Sequence, residues 1–388
     1  MQRVASKLLL AAVIVAAAFV LDLKLDLFPA AAESEEAAAV KQTNRLEQLE
    51  LAIAKEFQLR SEKISVSYTG DKQELADRMP DVIKAALTHD DYSAYILDSY
   101  IYTIRSWGNK SNVTIDAKYR ESKEQTALVD RKVAEALAEV VEPGMNPHEK
   151  VKAIHDWIVT HVEYDQSLTR YTAYEAVTTG EAVCQGYSLL GYKMLKAAGI
   201  PVLIAEGTVN TGEHAWNMVQ LDGVWYHLDL TWDDPVMKDA SGKTIKDGGA
   251  IRYNYYLKTD GELRADHGWT KTYPAAVANY ADAIGELERQ GSEKERERYA
   301  KLKLALGLHW LDAANTVTGP EQLQGVIASA LDSRTASLEF RYEDREGFPE
   351  ALKAAFRDAK VAAGYRASYE PYAGGSSLLV RIQLEYAK

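Results

Sequence analysis

The sequence has a single residue that could form a disulfide and no excess of basic residues for binding a polyanion. Cys184 is the only cysteine among 388 residues, so the chain cannot close an intramolecular disulfide. The net charge is −12 and no basic cluster interrupts it, which argues against a nucleic-acid partner. His155 and His161 lie too far apart on a predicted helix to share a metal-binding face. No calcium or wall-anchoring motif is visible, and neither a metal nor a cofactor is predicted.

The one cysteine stands where a helix is predicted to begin. Tyr187, Leu190 and Met194 follow Cys184 at helical spacing, and Gly199 provides a stop. A thiol in the first turn lies beside free backbone N–H groups, which stabilise a thiolate and a developing oxyanion. The position therefore favours a nucleophile, although a single cysteine is more often a small buried hydrophobic residue.

A predicted hairpin carries a histidine and an aspartate on one face. Asp222-Gly223 is a strong two-residue turn signal, and it would place Trp216 opposite Asp229. Because side chains alternate along a strand, His214 and Asp229 become diagonal neighbours, roughly 5–8 Å apart between Cβ atoms. The opposite face is almost wholly apolar and should lie on the core. The register predicts that Asp229 orients the imidazole of His214.

These residues together predict a Cys-His-Asp acyl-transfer site. Cys184 is the predicted nucleophile, His214 the base and Asp229 the group that fixes its tautomer. His227 shares the same face and is a rival base, ranked below His214. Further residues are expected to donate to the oxyanion or to line the cleft, with packing as the alternative role of the tryptophans: Tyr164, Gln166, Trp216, Trp225 and Trp232.

Several motifs resemble the bacterial transglutaminase-like cysteine enzymes. They are Val-Cys-Gln-Gly-Tyr around Cys184, His-Ala-Trp-Asn from His214, and Gly-Val-Trp-Tyr-His-Leu-Asp-Leu-Thr-Trp-Asp-Asp-Pro around Asp229; weaker ones lie around His155, around Asp165 and from Tyr253 to His267. The resemblance covers roughly residues 130–275. It implies an α+β fold with a papain-like core, in which the cysteine helix packs on an antiparallel sheet. It also implies Cys184, His214 and Asp229 as the triad. Such enzymes include cross-linkers, peptidases and inactive relatives.

The composition predicts five segments along the chain. They are an export signal or N-terminal anchor over 1–32, a small helix-strand-helix-strand module over 33–125 that opens with a polar linker to 45, the catalytic core over 126–285, a charged helical linker over 286–310, and a second such α/β module over 311–388. In the first module, a helix is predicted across 92–101. The segment 348–356 echoes 79–87, which indicates that the two modules are repeats.

The predicted function is that of an exported thiol acyltransferase or peptidase acting on protein or peptide amides. Arg3 and Lys7 precede the apolar run 8–21, and 30–32 is a plausible cleavage site, so a secreted or cell-surface location is expected. The membrane would be a partner only through 8–21, if that run is retained. The alternative is a catalytically silent surface module that binds peptides or cell-wall polymer.

Overall fold

A computed structural model of the protein describes residues 17–20, 35–234, 236–238, 244–246, 251–359 and 363–386. The chain divides into two compact units, Met1–Val277 and Ala278–Lys388. Within the described part of the chain, no helix is long and apolar enough to cross a membrane. The predicted export segment 1–32 lies outside the described residues, except for a short strand at Ala17–Val20.

The first unit begins with a module in which two helices cover one face of a sheet. Its elements are β1 (Ala17–Val20), α1 (Glu35–Gln58), β2 (Lys63–Thr69), α2 (Lys72–Leu87), α3 (Asp91–Ile96), β3 (Leu97–Trp107) and β4 (Lys110–Tyr119). The strand order is β1-β3-β4-β2, with β1 parallel to β3 and the other pairs antiparallel. Apolar side chains of α1 and α2 fill a core against the strands.

Two predictions for this module are wrong. α1 begins at Glu35, inside the segment predicted to be a polar linker, because that stretch is rich in Ala and Glu, which favour helix. The helix predicted across 92–101 ends at Ile96, and Leu97 opens a strand. Tyr100 and Tyr102 are buried there, whereas Ile101 between them is 52% exposed. The segment therefore alternates as a strand does.

The core of the first unit is a helix packed on a three-stranded antiparallel sheet. Its helices are α4 (Lys123–Val140), α5 (Pro147–His161), α6 (Ala173–Thr179), α7 (Cys184–Ala197) and α8 (Asp260–Leu263). Its strands are β5 (Glu163–Tyr164), β6 (Glu181–Ala182), β7 (Val202–Val209), β8 (Gly212–Leu221), β9 (Val224–Leu228), β10 (Val236–Lys238) and β11 (Thr244–Lys246). The central sheet has the order β7-β8-β9, and α7 packs against β8.

The approach of α7 to the sheet requires a glycine. A Cβ added at Gly191 would lie 2.5 Å from Asn217 Oδ1 and 2.6 Å from Leu230 Cδ1. Asn217, on the sheet, donates from Nδ2 to the carbonyl of Ser188 on the helix at 3.0 Å. The helix that begins at Cys184 is thus held at close range to the hairpin.

The predicted hairpin register is confirmed. Asp222 and Gly223 both adopt left-handed backbone angles, φ 49° and 81°, as a type I′ turn requires. Met218 pairs with His227, and the apolar face lies on α7. The opposite face is buried as well, since Trp216 and Met218 there pack against residues from the end of the unit, including Leu263 and Ala276.

The second unit contains a helix pair followed by the C-terminal module. Its elements are α9 (Tyr280–Gln290), α10 (Glu293–Ala305), two 3₁₀ turns (Leu308–Leu311 and Ala313–Asn315), β12 (Thr316–Val317), α11 (Pro320–Asp332), β13 (Ser337–Tyr342), α12 (Phe348–Arg357), β14 (Gly364–Pro371), a 3₁₀ turn (Tyr372–Gly374) and β15 (Leu378–Glu385). The strand order is β12-β13-β15-β14. The strand β14 is an addition to the predicted pattern. The predicted domain boundaries remain predictions.

Candidate active site

Cys184 occupies the first turn of a helix that has no side-chain cap. The N-cap residue of α7 is Val183, whose side chain accepts no hydrogen bond, whereas α4, α5 and α6 all begin with a capping box. The first N–H groups of a helix have no acceptor within it, so those of Cys184 and Gln185 stay available. The thiol is 6% exposed. An anion at this sulfur or beside it meets the positive end of the helix dipole.

His214 links the thiol to Asp229. Its Nε2–H donates to Asp229 Oδ2 at 2.7 Å, and its ring also interacts with the Cys184 side chain. Because Nε2 is engaged, Nδ1 is the nitrogen left for the sulfur. Burial favours the neutral imidazole, but the Asp229 carboxylate and the Cys184 side chain outweigh it and raise the pKa of His214 to about 10. An imidazolium beside the sulfur favours the thiolate.

Asp229 is fully buried and accepts four hydrogen bonds. Oδ1 accepts from the backbone N–H groups of Thr231 at 3.0 Å and Trp232 at 3.3 Å. Oδ2 accepts from His214 and also from His267 Nε2 at 3.1 Å. Burial opposes the charged form, but the two histidines hold the pKa of Asp229 well below its ordinary value. The carboxylate is therefore ionised and fixed in orientation.

The rival base, His227, has both ring nitrogens occupied. Nδ1 accepts the indole N–H of Trp216 at 2.9 Å, and Nε2–H donates to Asp260 Oδ1 at 2.8 Å. Burial lowers the pKa of His227 despite Asp260. A neutral ring whose lone pair is already used cannot take a proton from a thiol, so His214 is the better base.

The residues predicted to bind the oxyanion or to line the cleft differ in their burial and in the groups around them. Tyr164, on β5, is half-buried; burial and then the Cys184 charge raise the pKa of its hydroxyl to about 12, so it stays a donor near the sulfur. Gln166 is exposed in the following loop. Trp216 is 1% exposed and stacks behind His214, with ring centroids 6.0 Å apart. Trp216 therefore packs against the imidazole of His214, which is the packing role considered for the tryptophans. Trp225 and Trp232 are partly buried.

A second buried cluster fixes the chain that follows Asp229. His155 Nε2 lies 3.2 Å from Asp233 Oδ2, and its Nδ1 lies 3.0 Å from Asp156 Oδ1. The other oxygen of Asp233 accepts the backbone N–H of Tyr255 at 2.9 Å. This arrangement holds His155 in the core, and it ties α5 to the loop beside the candidate site.

His267 belongs to the site although its role was not predicted. It was noted only as part of a weaker motif, because its contact with Asp229 bridges residues far apart in the chain. His214, Asp229 and His267 offer atoms within 4.8 Å of one another, a spacing that could also hold a metal ion. Both imidazoles, however, already donate to one carboxylate oxygen, and that hydrogen-bonded arrangement accounts for the cluster.

The comparisons with known proteins agree with this geometry. Residues 134–230, which contain Cys184, His214 and Asp229, match the model of the Transglutaminase-like superfamily, and this segment is a transglutaminase-like domain. The predicted fold class, α+β with such a core, is confirmed.

Similarity to individual proteins is lower and partial. Kyphoscoliosis peptidase of Mus musculus and that of Homo sapiens are each 27% identical over 127 residues, or 28% of this chain and 19% of the relative. The chain thus spans about a fifth of the length of these curated relatives. A solved structure described as a TGase has 14% identity and a TM-score of 0.26, covering 44% of this chain and 50% of that one.

Proposed function

We propose that the protein is an exported thiol acyltransferase or peptidase that acts on protein or peptide amides through a thioester on Cys184. The observation that carries this proposal is the buried His214–Asp229 hydrogen bond beside Cys184, which stands at an uncapped helix start and acts on the same imidazole. A buried thiol with a purely structural role needs neither the imidazolium nor the free N–H groups.

The geometry supports a two-stage reaction. The Cys184 thiolate attacks the amide carbonyl carbon, and backbone N–H groups of the first turn hold the oxyanion. His214 gives its proton to the leaving nitrogen as the C–N bond breaks, which leaves a thioester. Water or a second amine then attacks the thioester while His214 takes its proton, and the Cys184 thiolate returns with the imidazolium. Asp229 keeps Nε2–H of His214 fixed throughout.

The acceptor decides between hydrolysis and cross-linking. The name of the curated relatives, peptidase, supports water as the acceptor. The basic start and apolar run of 1–32 support export to the cell surface or beyond, with protein or wall-associated peptide as substrate. An unpaired thiol in an oxidising compartment is readily understood if chemistry requires it.

The first experiment measures the rate of Cys184 alkylation by iodoacetamide against pH in the wild type, His214→Ala and His227→Ala. We expect wild-type modification well below pH 8, a loss of about 100-fold in His214→Ala, and little change in the matched His227→Ala control. Slow modification that ignores both substitutions would instead identify the protein as a silent binding module.

A second experiment separates the two acceptors. The protein is incubated with casein and a labelled primary amine, with Cys184→Ala as the control. Peptide release without label supports a peptidase, and label incorporated into casein supports a cross-linking transferase. Neither product above the Cys184→Ala background, with the thiol still reactive, would reject casein as a substrate of this site.

A further inference from the structure

Asp229 is shared between two buried histidines, and the proposed reaction needs only one of them. His267 Nε2 lies 3.1 Å from the same Oδ2 that accepts from His214. Its side chain is completely buried, and its ring lies 5.3 Å from that of His214, centroid to centroid. Any charge on His267 therefore acts on the triad through a short and poorly screened path.

Both ring nitrogens of His267 face carboxylates. Nδ1 lies 2.6 Å from Asp266 Oδ1, and the second Asp266 oxygen accepts the hydroxyl of Tyr255 at 2.6 Å. A neutral imidazole has one N–H and one lone pair, so it would turn a lone pair towards one carboxylate. Only the imidazolium donates to Asp266 and Asp229 together.

The surroundings of His267 suit a cation. The rings of Trp232, Trp216 and Tyr255 pack around it at centroid distances of 4.6, 5.3 and 5.6 Å. The other charged or titratable groups near it are His214 on β8, His227 on β9 and Arg264, whose guanidinium lies over the Trp269 ring. Asp229 and Asp266 are the two anions in direct contact with it.

The backbone fixes the position of this histidine independently of its ring. Its N–H donates to the carbonyl of Leu263 at 3.0 Å. The next residue, Gly268, exchanges two hydrogen bonds with Thr208 at the end of β7, at 2.7 and 2.8 Å. The chain is therefore anchored on both sides, which makes a charge-changing substitution at 267 interpretable.

We propose that His267 is a positioning residue of the triad, held as an imidazolium between Asp266 and Asp229, and that its charge limits how tightly Asp229 holds the proton on His214. The inference rests on the proposed function. Because Asp229 Oδ2 is shared with the His267 cation, the His214 imidazolium is a better acid towards the leaving amine. The Cys184–His214 pair also loses its first proton at a lower pH.

The sign of the effect can be measured. Removing a positive charge makes protons harder to release nearby, so His267→Gln should move the acid limb of the Cys184 alkylation profile upwards by about one pH unit. The glutamine keeps an N–H for Asp229 without the charge. His227→Gln is the matched control, because the neutral His227 contributes no charge, and its acid limb should stay in place. A purely packing role would slow alkylation at every pH without moving the limb.

The substitution Asp266→Asn distinguishes a charged His267 from a neutral one by the direction in which the acid limb of the alkylation profile moves. If Asp266 keeps His267 charged, this substitution also costs the nearer positive charge, and the acid limb moves upwards or stays. If His267 is neutral, the substitution only removes an anion, and the limb moves downwards. A downward shift would overturn the proposal, as would an unmoved limb in His267→Gln.

The charge on His267 can be measured in a protein that shows no enzymatic activity. In wild-type protein labelled with ¹⁵N-histidine, we expect the His267 resonances, assigned by their loss in His267→Gln, to show both ring nitrogens protonated at pH 7. A single protonated nitrogen would refute the inference. Since this readout does not need a reactive thiol, it separates failure of the inference from failure of the proposed enzyme.

Discussion

The two small modules of the chain share the order of three strands, and one difference between them is a short helix. In each, a helix, a strand, a second helix and two more strands follow one another, and the last strand is central: β3-β4-β2 in the first module and β14-β15-β13 in the second. This shared order is consistent with the predicted repeat, which stays a prediction. The first module alone has the short helix α3 between its second helix and its next strand; among the described residues, the link from α12 to β14 holds no helix.

The inserted helix is what connects the first module to the candidate site. Asp91 accepts the backbone N–H of Ile204 on β7 at 2.7 Å, and Tyr95 donates to Glu206 on the same strand at 2.8 Å. The carbonyl of Tyr95 accepts Gln185 Nε2, next to Cys184, at 2.8 Å. The comparison shows that a short added segment can link a module to a neighbouring site while the order of its three shared strands is kept.

The largest loss of stability is expected at Glu121, a buried carboxylate that joins the first module to the helices α4 and α6 of the core. Glu121 is fully buried and accepts from Tyr92 of α3, from Thr126 and from the backbone of Tyr174. Glu121→Ala leaves these donors without an acceptor and should lower the free energy of unfolding of the first unit by about 3 kcal/mol. Urea unfolding followed by tryptophan fluorescence reports this unit, since six of the seven tryptophans lie before residue 278.

The matched substitution in the second module is Glu343→Ala. Glu343 is half-exposed and pairs with Arg341 at 3.2 Å, so its loss should cost about 0.5 kcal/mol or less. Circular dichroism of both variants in urea gives the comparison for the whole chain. Equal losses in the two variants would contradict the assigned difference between the modules.

The second effect concerns the rate of the thiol. Gln185→Ala removes the hydrogen bond between the first turn of α7 and α3, and a bond of about 1 kcal/mol corresponds to about a fivefold slower alkylation of Cys184. Gln322→Ala is the control, because this glutamine bonds the backbone of Thr316 and Thr318 in the second module. An unchanged rate in Gln185→Ala would show that α3 does not position the nucleophile.

The sequence predicted the parts of the site that depend on local signals. Asp222-Gly223 determined the hairpin register, and the apolar spacing after Cys184 determined the helix start. The prediction of a helix across 92–101 failed after Ile96, where the strand begins at Leu97. The segment is apolar enough for either a helix or a strand, and only its pairing with β4 decides between them. The strand β14 was missed because its outward residues are exposed and its apolar alternation is weak.

The role of His267 depends on three-dimensional proximity alone. Nothing near it in sequence indicates Asp229 as its partner, and the link is made by a chain that leaves β9, passes through α8 and returns to β7. Contacts of this kind have no period or turn signal. They become visible only when the fold brings the two side chains together.

A third, pH-dependent effect is expected at Asp91. Burial raises the pKa of Asp91 above its ordinary value of 3.8, so the folded state favours the neutral carboxyl. Its contribution to stability is complete below pH 3.8 and is lost as the pH rises through the folded-state pKa. Asp91→Asn stays neutral and keeps an acceptor for Ile204, so the wild type should lose stability relative to this variant as the pH rises from about 3.5 to 6.

Urea midpoints at several pH values test this effect. Asp91→Ala lacks the acceptor and should be less stable than Asp91→Asn at every pH. If the gap between wild type and Asp91→Asn were constant across the range, the carboxyl would not be titrating in the folded unit. Asp91 would then stabilise the link from α3 to β7 through its hydrogen bond to Ile204 alone.

The smallest effect is expected on the outer face of the second module, where ion pairs cross the sheet. Arg381 on β15 pairs with Glu370 on β14 at 2.9 Å and with Glu339 on β13 at 3.7 Å, and all three side chains are about half exposed. Exposed pairs contribute little, so Arg381→Ala should change the free energy of unfolding by about 0.5 kcal/mol or less, and about 1 M salt should remove most of the difference. If the alkylation rate of Cys184 is set by the Gln185 bond to α3, it should be the same in Arg381→Ala as in the wild type. A slower thiol in this variant would mean that the second module acts on the site after all, and the contrast between the two modules would fail.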